Sequence, residues 1–199
     1  MKRLKHWVGP NIGPLQFVNL AAFGLNLIWS QTYYRLLLGR VGKLSVFFGV
    51  KFLGDGRRVY IGDGVIIRWN SRIEAVSRYA GVDLSPTLTI GDGTNIEQNV
   101  HIVCGERVSI GRNVTITANC AIVDVVHPYD NASNKIGLTP IRTLPVEIGE
   151  GSMLGIGTVV LPGTTIGQRV VVGANSVVRG VLPNNTIWAG APAKQIGEY

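Results

Sequence analysis

Between Val146 and Pro183 the sequence reads V-E-I-G-E-G-S-M-L-G-I-G-T-V-V-L-P-G-T-T-I-G-Q-R-V-V-V-G-A-N-S-V-V-R-G-V-L-P, and an aliphatic residue returns at every sixth position: Ile148, Leu154, Val160, Ile166, Val172, Val178. A period of six is even, so each unit can form a short strand whose aliphatic residue faces one side. Four positions after each of the first five sits a small or β-branched residue: Ser152, Thr158, Thr164, Val170, Ser176. Glycine and asparagine between units supply the turns. No unit can bury its own apolar side chain, so the units must coil and stack. The spacing predicts an all-β fold, a parallel β-helix.

The same pattern begins at Ile61-Gly62-Asp63-Gly64 and restarts at Ile90, Ile110, Ile148 and Ile166. These starts are 29, 20, 38 and 18 residues apart. Three units make 18, leaving surpluses of 11, 2, 20 and 0, each after the third unit of its round. If three units form one coil of a three-sided prism, the extra residues leave at one corner and make a ridge along one edge. The largest surplus, about 124–145, is a long loop with aromatic, charged and apolar residues, which is usually functional. His127 stands where this loop leaves the coil, held by the prism yet projecting from it.

The repeat body is neutral and the N-terminal segment carries the excess of a +7 chain: all 12 acidic residues lie at or after Asp55, and seven basic residues precede it. Residues 1–55 read as a basic, partly helical segment, 56–187 as the β-helix with its insertion at 124–145, and 188–199 as a tail. From about Leu15 the residues Phe17, Leu20, Ala21, Gly24, Leu25 and Ile28 follow helical spacing. The helix is expected to cap the end of the solenoid, with residues 1–45 also offering a basic, apolar surface to anionic lipid. Gly13, Pro14, Gln16, Asn19, Gly24 and Asn26 interrupt the stretch, which argues against a span or signal peptide. Absence of a basic stripe on the body argues against nucleic acid. Two cysteines, Cys104 and Cys120, at different unit positions, suggest neither a disulfide framework nor a metal site, and a cytoplasmic setting is the expectation.

The motifs His-Pro-Tyr-Asp at 127–130, P-V-E-I-G at 145–149, L-P-G-T-T-I-G at 161–167, V-G-A-N-S-V-V at 172–178 and A-G-A-P-A-K-Q-I at 189–196, with the repeated I-G-x-[GN], resemble the hexapeptide-repeat acyltransferases. Within them the chain is similar to bacterial sugar and polysaccharide O-acetyltransferases, with the maltose, galactoside and nodulation-factor enzymes as relatives. The resemblance implies a left-handed coil, where the general handedness of parallel crossovers would suggest the opposite. It further implies a homotrimer with acetyl-CoA between neighbouring prisms, and a sugar hydroxyl of a cell-surface glycan or its precursor as acceptor.

By the same resemblance His127 is the general base, Asp124 its orienting partner, and backbone N–H groups near Gly155 stabilise the oxyanion. Transfer is direct, in a ternary complex, so the cysteines read as repeat fillers. Gly155, Ile156 and Gly157 line the pantetheine arm, Ala174 follows one coil on, Arg179 and Lys194 meet phosphates, and Gly190, Ala191 and Pro192 close over the adenine. Glu97 and Met153 depart from the simple-sugar enzymes on the acceptor side, whereas Asn99 matches. His6 and His101 read as surface residues. The rival classes are an N-acyltransferase of an amino sugar, a non-catalytic carbohydrate-binding or assembly β-helix, a serine acetyltransferase without its helical domain, and a carbonic anhydrase, for which the metal-binding histidines are missing.

Overall fold

The computed structural model describes residues 14–129 and 139–199, with the side chains of 14–17 left aside. The chain is a left-handed parallel β-helix whose strands fall into three sheets of seven, eight and six strands. The first face runs through Val59–Ile61, Thr87–Ile90, Arg107–Ile110, Val146–Ile148 and Thr165–Ile166. The second stacks Ile66–Ile67, Asn95–Ile96, Thr115–Ile116, Met153–Leu154 and Val171–Val172. The third stacks Arg72–Ala75, His101–Cys104, Ala121–Val123, Val159–Val160 and Val177–Val178.

The six-residue aliphatics meet in register, Ile61 on Ile90, Ile110 on Ile148, Ile116 on Leu154 and Ile122 on Val160. All are essentially excluded from water and together form one core along the prism axis. The interleaved hydroxyls are buried at the corners, where they donate to carbonyls of an adjacent coil: Thr94 to Gly111 at 2.8 Å, Ser152 to Gly167 at 2.8 Å. Each satisfies a buried polar atom that would otherwise cost stability.

The first coil starts before the boundary that the aliphatic periodicity gives at residue 56. Arg40–Val41, Val46–Phe47 and Lys51–Gly54 already pair with the coil from Val59 onward. Its aromatic core residue Phe47 hides it from a search for repeated Ile and Val.

Helix α1, Pro14–Leu37, covers the open edge of that coil. Ser30 Oγ accepts from the Phe47 N–H at 2.8 Å, and Gln31 donates to the carbonyls of Gly42 at 2.9 Å and Ser45 at 3.1 Å. Of the helical stripe read from the sequence, Leu25 and Ile28 face outward, 69% and 63% exposed. An open β edge presents N–H and C=O groups, so the helix turns polar side chains to it. No helix among the described residues is long and apolar enough to cross a membrane. At the far end Thr186–Gly190 and Ala193–Glu198 close the second face as an antiparallel pair.

Candidate active site

All the surplus residues leave between the third and first faces, as the spacing predicts. The surplus of 11 folds as a hairpin, Arg78–Tyr79 against Val82–Asp83, turned by Ala80 and Gly81 at φ of 48° and 81°. The largest insertion begins with a two-stranded stem, Val125–Val126 antiparallel to Arg142–Thr143. His127 follows the stem directly and is exposed. Pro128 and residues 139–142 line a cleft of about 290 Å³ beside it. Asp130, the end of the His-Pro-Tyr-Asp motif, lies outside the described residues.

Asp124 does not orient His127 as expected. Its carboxylate is buried and accepts three backbone N–H groups of the coil below, from Gly105 at 2.6 Å, Glu106 at 2.8 Å and Arg107 at 2.9 Å. Both oxygens are committed to that turn. Burial pushes the Asp124 carboxyl above its ordinary range, against the opposing pull of those donors. The residue is thus the anchor of the loop: its carbonyl also accepts from Leu144 N at 2.8 Å, and Thr143 donates to Glu106 at 2.7 Å. Gly105 is needed for this fit, since an added Cβ would sit 2.8 Å from Val125 and 2.9 Å from Thr143 side-chain carbons.

The imidazole of His127 meets the Tyr79 ring edge-on, with centroids 5.5 Å apart and planes at 69°. Hairpin and loop come from the second and fourth coils and lean together over the third, whose corner is trimmed to Gly105 and Glu106.

The other expected site residues, Arg179 excepted, lie away from the His127 edge of the prism. Met153 is exposed on the second face, and Glu97 lies just beyond Asn95–Ile96, two strands away on that face. Glu97 is not a freely solvated carboxylate: it pairs with Arg68 at 3.0 Å and accepts from Asn95 at 2.8 Å. Asn99 turns the next corner at φ 60° and donates to Asn119 at 3.1 Å. Gly155, Ile156 and Gly157 form that corner two coils on, with Ala174 below them. An added Cβ at Gly155 would lie 2.6 Å from Ala174 N, so the coil is tight there.

The expected oxyanion donors need correction, because the Gly155 N–H bonds Val172 O at 2.8 Å and the Gly157 N–H bonds Ala118 O at 3.0 Å. Ladder pairing takes both amides. Arg179 follows the third face and so stands on the edge of the His127 loop, apart from Ala174. Gly190, Ala191, Pro192 and Lys194 form the turn and return strand of the terminal hairpin, with Gly190 N donating to Ser176 Oγ at 3.1 Å.

His101 is half-buried, not a plain surface residue, and its Nε2 lacks a hydrogen-bond partner among the described residues. Burial, then the nearby Arg72 charge, lowers its pKa. Burial also pushes the Cys104 thiol up to about 12, which makes it a poor nucleophile. Sequence reading passed over Tyr79 and Arg68. Lining up the units would have found Arg68, which follows Ile67 as Glu97 follows Ile96; Tyr79 had only the length of its insertion as a signal.

With this geometry in place, comparison with known proteins is informative. The pattern described as "Bacterial transferase hexapeptide (six repeats)" matches residues 145–180. That stretch of the chain carries the hexapeptide repeat. It is 41% identical over 115 residues, 54% of this chain and 59% of the relative, to WbbJ of Escherichia coli, a putative lipopolysaccharide biosynthesis O-acetyl transferase. Over 180 residues, 82% of this chain and 55% of the relative, it is 31% identical to a probable acetyltransferase of Mycobacterium tuberculosis, Rv3034c. The chain spans about half the length of the curated relatives it matches. Its fold is that of AntD, an N-acyltransferase from Bacillus cereus solved with dTDP and 3-hydroxybutyryl-CoA, at a TM-score of 0.71, 18% identity, 85% of this chain and 87% of AntD.

Proposed function

We propose that the chain is an acetyl-CoA-dependent O-acetyltransferase acting on a sugar hydroxyl of a surface glycan or its precursor. The carrying observation is His127, an imidazole set on an anchored stem at the edge of a rigid prism. Likeness to WbbJ and to an Escherichia coli galactoside O-acetyltransferase, 36% identical over 100 residues, supports the acceptor class.

The thioester of acetyl-CoA supplies the activated acyl group. His127 takes the proton of the acceptor hydroxyl as its oxygen attacks the thioester carbonyl; the C–S bond breaks, and the imidazolium returns the proton to the leaving sulfur. Histidine suits both steps because its ordinary pKa lies near neutrality. Ile156 and Ala174 are exposed on consecutive coils beside glycines, a flat apolar strip that suits an extended pantetheine arm, and Lys194 offers a cation for phosphate.

Within one prism the His127 edge and the Gly155 edge are different corners. Copies packed side by side would bring them together, so a homotrimer follows from the reading, with Glu97, Asn99 and Met153 facing the acceptor. His127→Ala is expected to keep assembly and CoA binding while losing about 10²–10⁴-fold in transfer. Unchanged turnover in that variant would remove the mechanism.

N-acylation of an amino sugar is the second reading, favoured by the AntD fold and served by the same base. Mass spectrometry of surface glycans from cells with and without the protein separates the two: an ester is lost in mild alkali and an amide is retained. A non-catalytic β-helix would show no stabilisation by acetyl-CoA in a thermal shift assay.

A separate reading concerns the outer stripe of α1. Val18, Leu25, Ile28, Trp29 and Leu36 are exposed on a helix with no acidic residue, in a segment that has none before Asp55. We assign this face to anionic lipid near the site of glycan assembly. Deleting residues 1–45 would remove Arg40–Val41 from the first coil, so the test is Leu25→Ser/Ile28→Ser/Leu36→Ser. Equal sedimentation of this variant and the parent with phosphatidylglycerol vesicles would rule the assignment out.

A further inference from the structure

We propose that Tyr79 is a positioning residue for His127, which rests on the reading of His127 as the general base. A base on a projecting loop must hold its ring within hydrogen-bond reach of the acceptor oxygen, yet His127 is exposed and follows a stem of only two residue pairs. The stem fixes where its backbone leaves the prism; it does not fix χ1 and χ2. The Tyr79 ring does so by standing edge-on against the imidazole, at 5.5 Å and 69°, within the range that aromatic pairs prefer.

The hairpin is built to make this contact. It leaves the second coil as an 11-residue surplus in a pattern that needs none, and Ala80 and Gly81 supply the positive φ of a tight two-residue turn. Arg78 pairs with Asp83 across it at 3.6 Å. Tyr79 itself is half-buried, its ring carried on a paired strand. The third coil contributes only a short corner, drawn down by the Asp124 carboxylate, so it leaves room for hairpin and loop to meet above it. Tyr79 touches neither the acceptor nor the thioester in this role. It narrows the orientations of the group that does.

The test reads the ring directly. The three histidines, His6, His101 and His127, give three imidazole signals in protein labelled with ¹³C-histidine, and His127→Gln identifies one of them. Tyr79→Leu is expected to move the His127 signals and leave the other two in place, whereas Tyr79→Phe keeps all three near their original positions. In parallel, CoA release from acetyl-CoA is measured with a galactoside, maltose or purified surface glycan as acceptor. For Tyr79→Leu the expectation is a kcat lower by roughly ten-fold with the acetyl-CoA KM within about two-fold, and recovery in Tyr79→Phe.

Unmoved His127 signals in Tyr79→Leu overturn the contact, whatever the activity. Moved signals with an unaltered kcat, alongside an inactive His127→Gln, overturn the positioning role alone. An active His127→Gln overturns the base assignment, and the positioning role with it, while the signals still report the contact. Tyr79→Thr, which keeps a strand-forming residue in the hairpin, serves the same comparison if the leucine variant does not fold.

Discussion

At the scale of single residues, Asp124 shows how a buried charge can serve architecture three positions from the proposed base. Its three backbone donors belong to a turn that no other carboxylate among the described contacts satisfies. Asp124→Ala strands those N–H groups, and each buried donor left without a partner costs about 1–3 kcal/mol. Chemical denaturation is expected to show a loss of that order, with transfer falling as well because the stem of the His127 loop is released. His101 makes a separate prediction. Its folded pKa lies below the usual value of 6.5, so the native state binds fewer protons than the unfolded chain once the pH drops through that value. Stability is full above about 6.5 and declines as the pH falls toward the folded pKa. His101→Gln should flatten this slope in thermal melts between pH 7.5 and about 5; an unchanged slope would mean that another group sets it.

Among the elements, α1 and the insertion ridge work by opposite means. The helix caps with a few polar and aromatic side chains: Ser30 and Gln31 bind the free edge of the first coil and Tyr34 packs edge-on against Phe47, leaving much of its apolar stripe outside. Ser30→Ala unpairs the Phe47 N–H at a buried position and is expected to cost about 1–3 kcal/mol. Amide exchange should rise first in Val46–Phe47, while exchange at the middle coils stays slow, because in a stacked solenoid each coil depends on its neighbours. The ridge works by length. Coils with a surplus project hairpin or loop, the coil between them stays short, and Gly105 lets the stem lie close against it.

For the whole molecule, a stiff prism cannot bend its corners toward one another. His127 occupies one edge and Gly155, Ile156 and Ala174 another, so the proposed reaction depends on a neighbouring copy. Light scattering is expected to give three times the 21.4 kDa chain mass, and activity should fall on dilution below the dissociation range. A fully active monomer would require the thioester to bind beside His127 on a single prism.

The coils from Val59 onward, the common corner of the insertions and the helical start of the chain were all legible in the sequence. The six-residue period fixes which side chains face inward, and the surplus lengths fix where the extra chain leaves. The first coil escaped because an aromatic core residue replaces the repeated aliphatic. Three things were decided only by the tertiary structure: the use of Asp124 as an anchor, the outward turn of the α1 stripe, and the meeting of Tyr79 with His127. Each depends on contacts between coils, or between the helix and the first coil, where unpaired backbone groups and short corners choose partners that spacing along a single strand cannot express.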